Sequence, residues 1–271
     1  VILLSRSSAL PALQVDGLTV HLGPRALVRG IDLTLHRGER VALIGASASG
    51  KSLTVRAVLG QLPPGVRATG RVRVAGVDVL GVPVPRRPAA ARVAAVSQDP
   101  SAALNPIVPV GTQLAMPLRN HRGLRGPALG QARSDLLTAV GLADPERVLR
   151  SCAGELSGGQ RQRVCIALAL ASQAGVLLAD EPTTSLDLVT QAQVVEVLRE
   201  HTRDAALLFI THDIAVAAAL CDRVVVLADG SVVETAPVDR LLADPRHPAT
   251  RELVTAARRS TTAVPATPVA S

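Results

Sequence analysis

Hydrophobic and polar residues alternate in strand fashion through 12–37, with Leu13, Val15, Leu18 and Val20 followed by Ile31, Leu33 and Leu35. A period of two sends successive side chains to opposite faces, so two strands are expected, bounded by turns at Gly23-Pro24 and Arg37-Gly38-Glu39. The pattern then changes to apolar runs at 40–44, 176–179, 206–210 and 223–227, the first and last opening on an arginine. Such runs are expected of parallel strands buried on both faces. Helices are predicted at 53–59, 189–199 and 214–220, and short strands at 71–74 and 93–97 flank a loop carrying Pro83, Pro85 and Pro88. From 100 to 150 the pattern becomes helical. Leu129, Ala132, Leu136, Leu137 and Val140 recur at i, i+3, i+4 spacing, and Gly141 ends the run. This reads as a helical insert in a β–α–β chain. Asp229-Gly230 predicts a hairpin joining the last buried strand to 231–234. The Thr/Ala/Pro-rich stretch 260–271 predicts a disordered tail.

Composition narrows the picture. At 271 residues and 48% hydrophobic, the chain has ample material for a packed core. The net charge of +7 comes from arginines scattered singly, with no basic run longer than Arg86-Arg87 or Arg258-Arg259. There is no Trp, no Tyr and one Phe, Phe209, so platforms for stacking single-stranded bases are missing and no nucleic-acid partner is expected. Cys152, Cys165 and Cys221 lie far apart without a C-x-x-C spacing, and read as reduced structural thiols. The run Val1-Ile2-Leu3-Leu4 is too short for a signal-peptide core, and no apolar stretch is long enough to span a bilayer.

The chemistry begins at the only lysine. Of 29 basic residues 28 are arginine, and the exception, Lys51, sits in Gly45-Ala46-Ser47-Ala48-Ser49-Gly50-Lys51-Ser52. A compact ammonium fits against phosphate oxygens in a tight loop where a planar guanidinium does not. Backbone N–H groups of such a loop cradle phosphates, the following helix presents its N-terminus to the same anion, and Ser52 offers a hydroxyl to Mg²⁺. The nucleotide cradle is expected to run from Gly45 to Leu53.

A second acidic element follows at Val176-Leu177-Leu178-Ala179-Asp180-Glu181-Pro182, an apolar strand ending in two adjacent carboxylates. Alternation along a strand gives them different jobs: Asp180 to hold Mg²⁺, Glu181 to orient or deprotonate the attacking water. A third element is Leu156-Ser157-Gly158-Gly159-Gln160, where Ser157 is a good helix N-cap and the glycines allow an anion close to the backbone. Within one chain this would duplicate the phosphate site. Used in trans, it predicts a head-to-tail dimer that sandwiches two nucleotides.

These motifs, with Gln98, Ser185-Leu186-Asp187 and His212 in the same order and spacing, resemble the ATPase subunit of ABC transporters over about residues 12–258. The resemblance implies an α/β fold of the P-loop NTPase type. It would have a RecA-like parallel-sheet core, an N-terminal antiparallel β subdomain and an α-helical subdomain. The implied division is one domain over 12–258. Within it, 12–98 and 166–235 form the core, 99–165 the helical subdomain and 236–258 a C-terminal helical segment, with flexible tails at 1–11 and 259–271. It also implies that Gln98 contacts Mg²⁺ and the attacking water, that Asp187 lies at the dimer interface, and that His212 reaches the γ-phosphate. The expected catalytic set is Glu181, His212, Gln98 and Lys51, and the expected metal set Ser52, Gln98 and Asp180. Ser157, Gly158, Gly159 and Gln160 act on the nucleotide of the other subunit.

Finer similarity points to the oligopeptide, dipeptide and nickel importer group, through the 97–106 segment, Arg161-Gln162-Arg163-Val164, Thr190-Gln191-Ala192-Gln193, Thr211-His212-Asp213-Ile214 and Asp244-Pro245-Arg246-His247-Pro248. No cysteine-rich C-terminal extension follows, which is similar to the shorter, nickel-type members. The resemblance implies ATP and Mg²⁺ as cofactors and two transmembrane permease subunits as partners. It further implies a second ATPase subunit, identical or paralogous, and, indirectly, a periplasmic or lipid-anchored substrate-binding protein. The expected location is the cytoplasmic face of the membrane. An ATPase of a soluble complex of the carbon–phosphorus lyase type is the alternative. The sequence departs from the family at Leu22, where most members stack an aromatic ring on adenine, and at Cys152-Ala153-Gly154-Glu155, which replaces an aromatic-Pro-His run. Leucine forgoes a stacking contribution of about 0.5–1.5 kcal/mol, so weaker and less purine-selective binding is expected.

Overall fold

The computed structural model describes residues 10–184 and 186–262. The chain opens with β1 (Leu13–Leu22), β2 (Arg25–Leu35), β3 (Arg40–Ile44) and α1 (Lys51–Leu59), then β4 (Val66–Val74), β5 (Val77–Asp78) and β6 (Val93–Val96). A helical stretch follows: α2 (Pro100–Ala103), α3 (Val110–Arg122), α4 (Gly126–Ala139), α5 (Pro145–Arg150) and α6 (Gly158–Ala171). Then come β7 (Val176–Asp180), α7 (Leu188–His201), β8 (Ala206–Ile210), α8 (Ile214–Leu220), β9 (Arg223–Ala228), β10 (Ser231–Pro237), α9 (Val238–Ala243) and α10 (Pro248–Thr262).

Two sheets organise these elements. A six-stranded sheet has the order β10-β9-β3-β8-β7-β6, parallel except for the β9–β10 hairpin; a four-stranded antiparallel sheet has the order β2-β1-β4-β5. The parallel sheet is buried on both faces, which explains its unbroken apolar strands. Val41, Leu43, Val176, Leu178, Leu208, Ile210, Val225 and Leu227 face one core with Val55 and Val58 of α1 and the antiparallel sheet. The intervening Ala42, Ile44, Leu177, Ala179, Leu207, Phe209, Val224 and Val226 face a second core with the helical layer. Alternation along each strand therefore sorts its side chains between two cores.

Boundaries differ from expectation in four places. The strand expected at 71–74 begins at Val66, because 66–69 complete the ladder with Thr19–Leu22 of β1. The expected 165/166 division falls inside α6, whose buried Val164, Cys165, Ile166 and Ala167 form one uninterrupted apolar stretch. The last helix runs to Thr262, past the expected end at 258, while β10 continues to Pro237, beyond 235. The remainder of the expected tails, 1–9 and 263–271, lies outside the described residues. In the proline-rich loop, buried Arg87 donates from Nε to the Val82 carbonyl and from Nη2 to the Val58 carbonyl, tying the loop to the end of α1.

Candidate nucleotide site

The parallel order sets the site. In β3, β8, β7 and β6, neighbours in the sheet, the carboxyl ends lead into Gly45, Thr211-His212, Asp180-Glu181 and Gln98 respectively. Four segments far apart in sequence thus meet on one edge, where open α/β sheets bind ligands.

The phosphate loop is shaped by its own surroundings. A Cβ at Gly45 would lie 2.3 Å from the Leu227 carbonyl oxygen, and one at Gly50 would meet Val28 at 3.1 Å and Leu27 backbone at 3.5 Å. Gly50, at φ 106°, is the N-cap of α1. Ala48 holds φ 63°, a left-handed conformation that costs a non-glycine residue about 1 kcal/mol. Ser47 and Ala46 are exposed, and the buried Ser49 hydroxyl has no hydrogen-bond partner. The Gly230 N–H donates to the Ser49 carbonyl and the Arg29 N–H to the Gly230 carbonyl, so β2 and the β9–β10 turn brace the loop. Lys51 is buried, and its Nζ donates to the carbonyls of Gly45 (2.8 Å) and Ala46 (2.9 Å). Burial holds the Lys51 ammonium below its ordinary pKa, opposed by the Glu181 and Asp180 carboxylates.

The two carboxylates diverge, as strand alternation requires. Burial pushes the Asp180 carboxyl up, opposed by a hydrogen bond from the Ser52 hydroxyl; Glu181 adds to the rise, while Lys51 and Arg56 counter it. One Asp180 oxygen, Oδ1, is buried without a hydrogen-bond partner. A carboxylate oxygen awaiting a partner beside a serine hydroxyl is a hard-oxygen donor set of the kind Mg²⁺ takes, so these residues fit that ion. Gln98 is exposed just beyond β6. Glu181 sits at φ 47°. Its N–H donates to the Ile210 carbonyl, Oε2 accepts from the Thr184 hydroxyl (3.1 Å), and Oε1 faces His212 Nδ1 at 3.3 Å.

The remaining expected residues are placed elsewhere. Ser157 caps α6 in a reciprocal box, its hydroxyl accepting from the Gln160 N–H and its own N–H donating to Gln160 Oε1. Gly158 is exposed, and a Cβ there would meet nothing within 4 Å. Gly159 follows in the first turn of the same helix. Asp187 is exposed and caps α7, accepting from the Thr190 N–H and hydroxyl; these bonds hold its carboxyl below the usual range. Beside it Leu188 and Val189 are 80% and 70% exposed, a large apolar surface next to the expected dimer contact. Ser185 lies outside the described residues. The tail of the cradle, Leu53, lines a cavity of about 460 Å³ together with Ala48–Ser52, Asp229, Gly230 and the β2 residues Arg25, Ala26, Leu27 and Arg29. Leu22 is exposed but does not line this cavity, and His21 borders a separate hollow with Gly23, Gly65 and Arg67. The β2 arginines and the Thr184–Glu181–His212 cluster were not singled out from the sequence. The arginines look like ordinary surface charge there, and the cluster joins residues 31 positions apart.

Two thiols are inert by environment: burial pushes Cys165 and Cys221 up to about 12. Among the described residues no helix is long and apolar enough to cross a membrane.

Residues 28–184 match the family model described as "ABC transporter". The chain is 44% identical over 253 residues to the nickel import ATP-binding protein NikD of Rhodospirillum rubrum, covering 90% of this chain and 94% of that one. It is 38% identical over 256 residues to the oligopeptide transport ATP-binding protein OppD of Bacillus subtilis, covering 89% and 71% respectively. The OppD of Mycobacterium tuberculosis is 41% identical over 250 residues, and this chain spans only 41% of its length. Among solved structures, the "Structure of ATP binding subunit of ABC transporter" superposes with a TM-score of 0.74 at 25% identity, covering 91% of this chain and 99% of that one.

Proposed function

Since the chain belongs to the ABC transporter family, within the oligopeptide, dipeptide and nickel importer group, we propose that it hydrolyses ATP as one half of a head-to-tail dimer. The dimer drives two membrane permease subunits, and the cargo is a peptide or a nickel or other metal complex. The observation that carries this reading is the convergence of Lys51, Asp180, Glu181 and His212 at the carboxyl ends of neighbouring parallel strands.

In this reading the incoming nucleotide gives the Lys51 ammonium phosphate oxygens in place of the Gly45 and Ala46 carbonyls. The loop N–H groups and the α1 N-terminus meet the β-phosphate, and charge-assisted bonds stabilise the negative charge that moves toward the leaving oxygen. Glu181, held by Thr184 and His212, orients the attacking water and receives its proton. His212 is then positioned to donate to the γ-phosphate. Magnesium, held by Ser52 and Asp180 with Gln98 at its margin, supplies neutralisation of the triphosphate charge when bound. The N–H groups behind Ser157 close over the nucleotide of the other subunit, with Asp187 and its exposed apolar neighbours in the dimer contact. Gln98 and the helical layer pass closure on to the permeases, which places the chain at the cytoplasmic face of the membrane. A substrate-binding protein joins the assembly only through the permeases.

Two measurements test the reading. Lys51→Ala abolishes ATP binding, whereas Glu181→Gln retains it and lowers turnover of the intact complex by at least about a hundredfold; normal turnover in the latter removes Glu181 from its role. Mild-detergent purification of the tagged chain from its own cells should bring down multi-helix membrane proteins. Recovery with soluble enzymes alone would replace the importer with a soluble complex.

A further inference from the structure

We infer that Arg25 is the nucleobase contact of this site, its guanidinium plane serving where an aromatic ring is missing; the inference rests on the nucleotide reading above. No Trp, Tyr or Phe side chain of this chain is able to reach a base. It has no Trp or Tyr, and its one Phe, Phe209, is fully buried in β8. The imidazole of His21 is excluded by strand geometry. His21 alternates with Leu22 along β1, and it borders the hollow with Gly65 and Arg67 instead of the phosphate-loop cavity.

Arg25 is placed where a base contact is needed. Across the Gly23-Pro24 turn, Arg25 pairs directly with Leu22, and directly opposed residues share a face. Val20 lies two positions before Leu22, so this is the face on which Val20 and its partner Val28 are buried. Leu22 and Arg25 continue that inner face past the end of the core, where both become exposed. Arg25 also lines the cavity that contains Ala48–Ser52, whereas Leu22 does not. Farther along β2, the Leu27 carbonyl lies against Gly50 and Gly230, which fixes this strand beside the phosphate loop.

The side chain is uncommitted. Among the described residues the Arg25 guanidinium makes no hydrogen bond or ion pair, whereas that of Arg29 reaches back to the Ala26 carbonyl at 3.5 Å. A free guanidinium has a flat, weakly hydrated face that stacks on π systems, and its edge donors remain available to ring nitrogens. A site built this way recognises any nucleobase with an exposed face, so discrimination between purines is expected to be small.

The test compares binding of magnesium-ATP and magnesium-tripolyphosphate to the full chain by titration calorimetry. Tripolyphosphate keeps the phosphate contacts and lacks the base. Arg25→Ala should weaken ATP about fivefold, leave tripolyphosphate unchanged and leave Tm unchanged. Arg25→Tyr should restore the lost preference for ATP, which a purely electrostatic or structural role would not allow. Equal weakening of both ligands by Arg25→Ala makes it a general phosphate attractor and overturns the assignment, as does no weakening or no rescue by tyrosine. Wild-type protein binding neither ligand, or Lys51→Ala binding both as well as wild type, would overturn the nucleotide reading itself, and this assignment with it.

Discussion

The glycine-bearing turns at the N-termini of α1 and α6 differ in what surrounds them. At the phosphate loop the glycines are demanded by the chain's own backbone: Leu227 stands against Gly45, and Leu27, Val28 and Gly230 stand against Gly50. At Ser157-Gly158-Gly159 the capping is complete, yet among the described residues nothing lies within 4 Å of a Cβ built at Gly158. The first turn is a finished pocket wall. The second has the same chemistry but lacks an occupant from its own chain, which is the condition for acting on a neighbouring subunit.

The largest expected effect breaks this contrast directly. Gly45→Ala should destabilise the protein by about 3 kcal/mol through overpacking against Leu227, read as a lowered midpoint in urea. Gly158→Ala should shift stability by less than about 0.5 kcal/mol while reducing turnover of the assembled complex. A large stability loss at Gly158 would show that its glycine serves the fold instead.

A smaller effect sharpens the picture of the loop as a site awaiting charge. Asp180 has a raised pKa, so the cost of its buried carboxylate is fully present above the folded pKa, shrinks as pH falls below it, and is gone below the ordinary aspartate value. Without nucleotide, Asp180→Asn should raise Tm at neutral pH. The gain should vanish as pH falls through the Asp180 titration, and the variant should bind magnesium-ATP more weakly. A gain independent of pH would remove buried charge as its cause.

The smallest effect concerns the open turn. Ser157→Ala removes one half of the capping box and should cost about 0.5–1 kcal/mol by thermal or chemical unfolding, with ATP binding to the single chain unchanged. Weaker ATP binding to the monomer would mean that this turn reaches the chain's own nucleotide.

Legibility followed locality. The phosphate loop, the carboxylate pair and the Ser157 cap were readable because each chemistry is written in consecutive residues. The continuous runs at 176–179, 206–210 and 223–227 announced buried strands because burial on both faces removes the need for polar alternation. The first half of β4 escaped, since only Val66 and Ala68 of 66–70 face the core, both half-buried, and the segment is held chiefly by backbone pairing with β1. Arg25 escaped as well, because nothing in its local sequence separates it from the other arginines.

The sequence by itself determined the nucleotide-binding chemistry, the alternation of strands and helices, and the lack of any tryptophan or tyrosine to stack on a base. Those follow from residue identity and spacing over a few positions. Tertiary structure alone decided the strand order β9-β3-β8-β7-β6 and, with it, the meeting of Lys51, Asp180, Glu181 and His212. It also decided that Arg25 borders the phosphate cavity while Leu22 stands outside it. The physical reason is that sheet order and hairpin register are fixed by long-range burial and pairing, which distribute their energy over many residues and mark none of them.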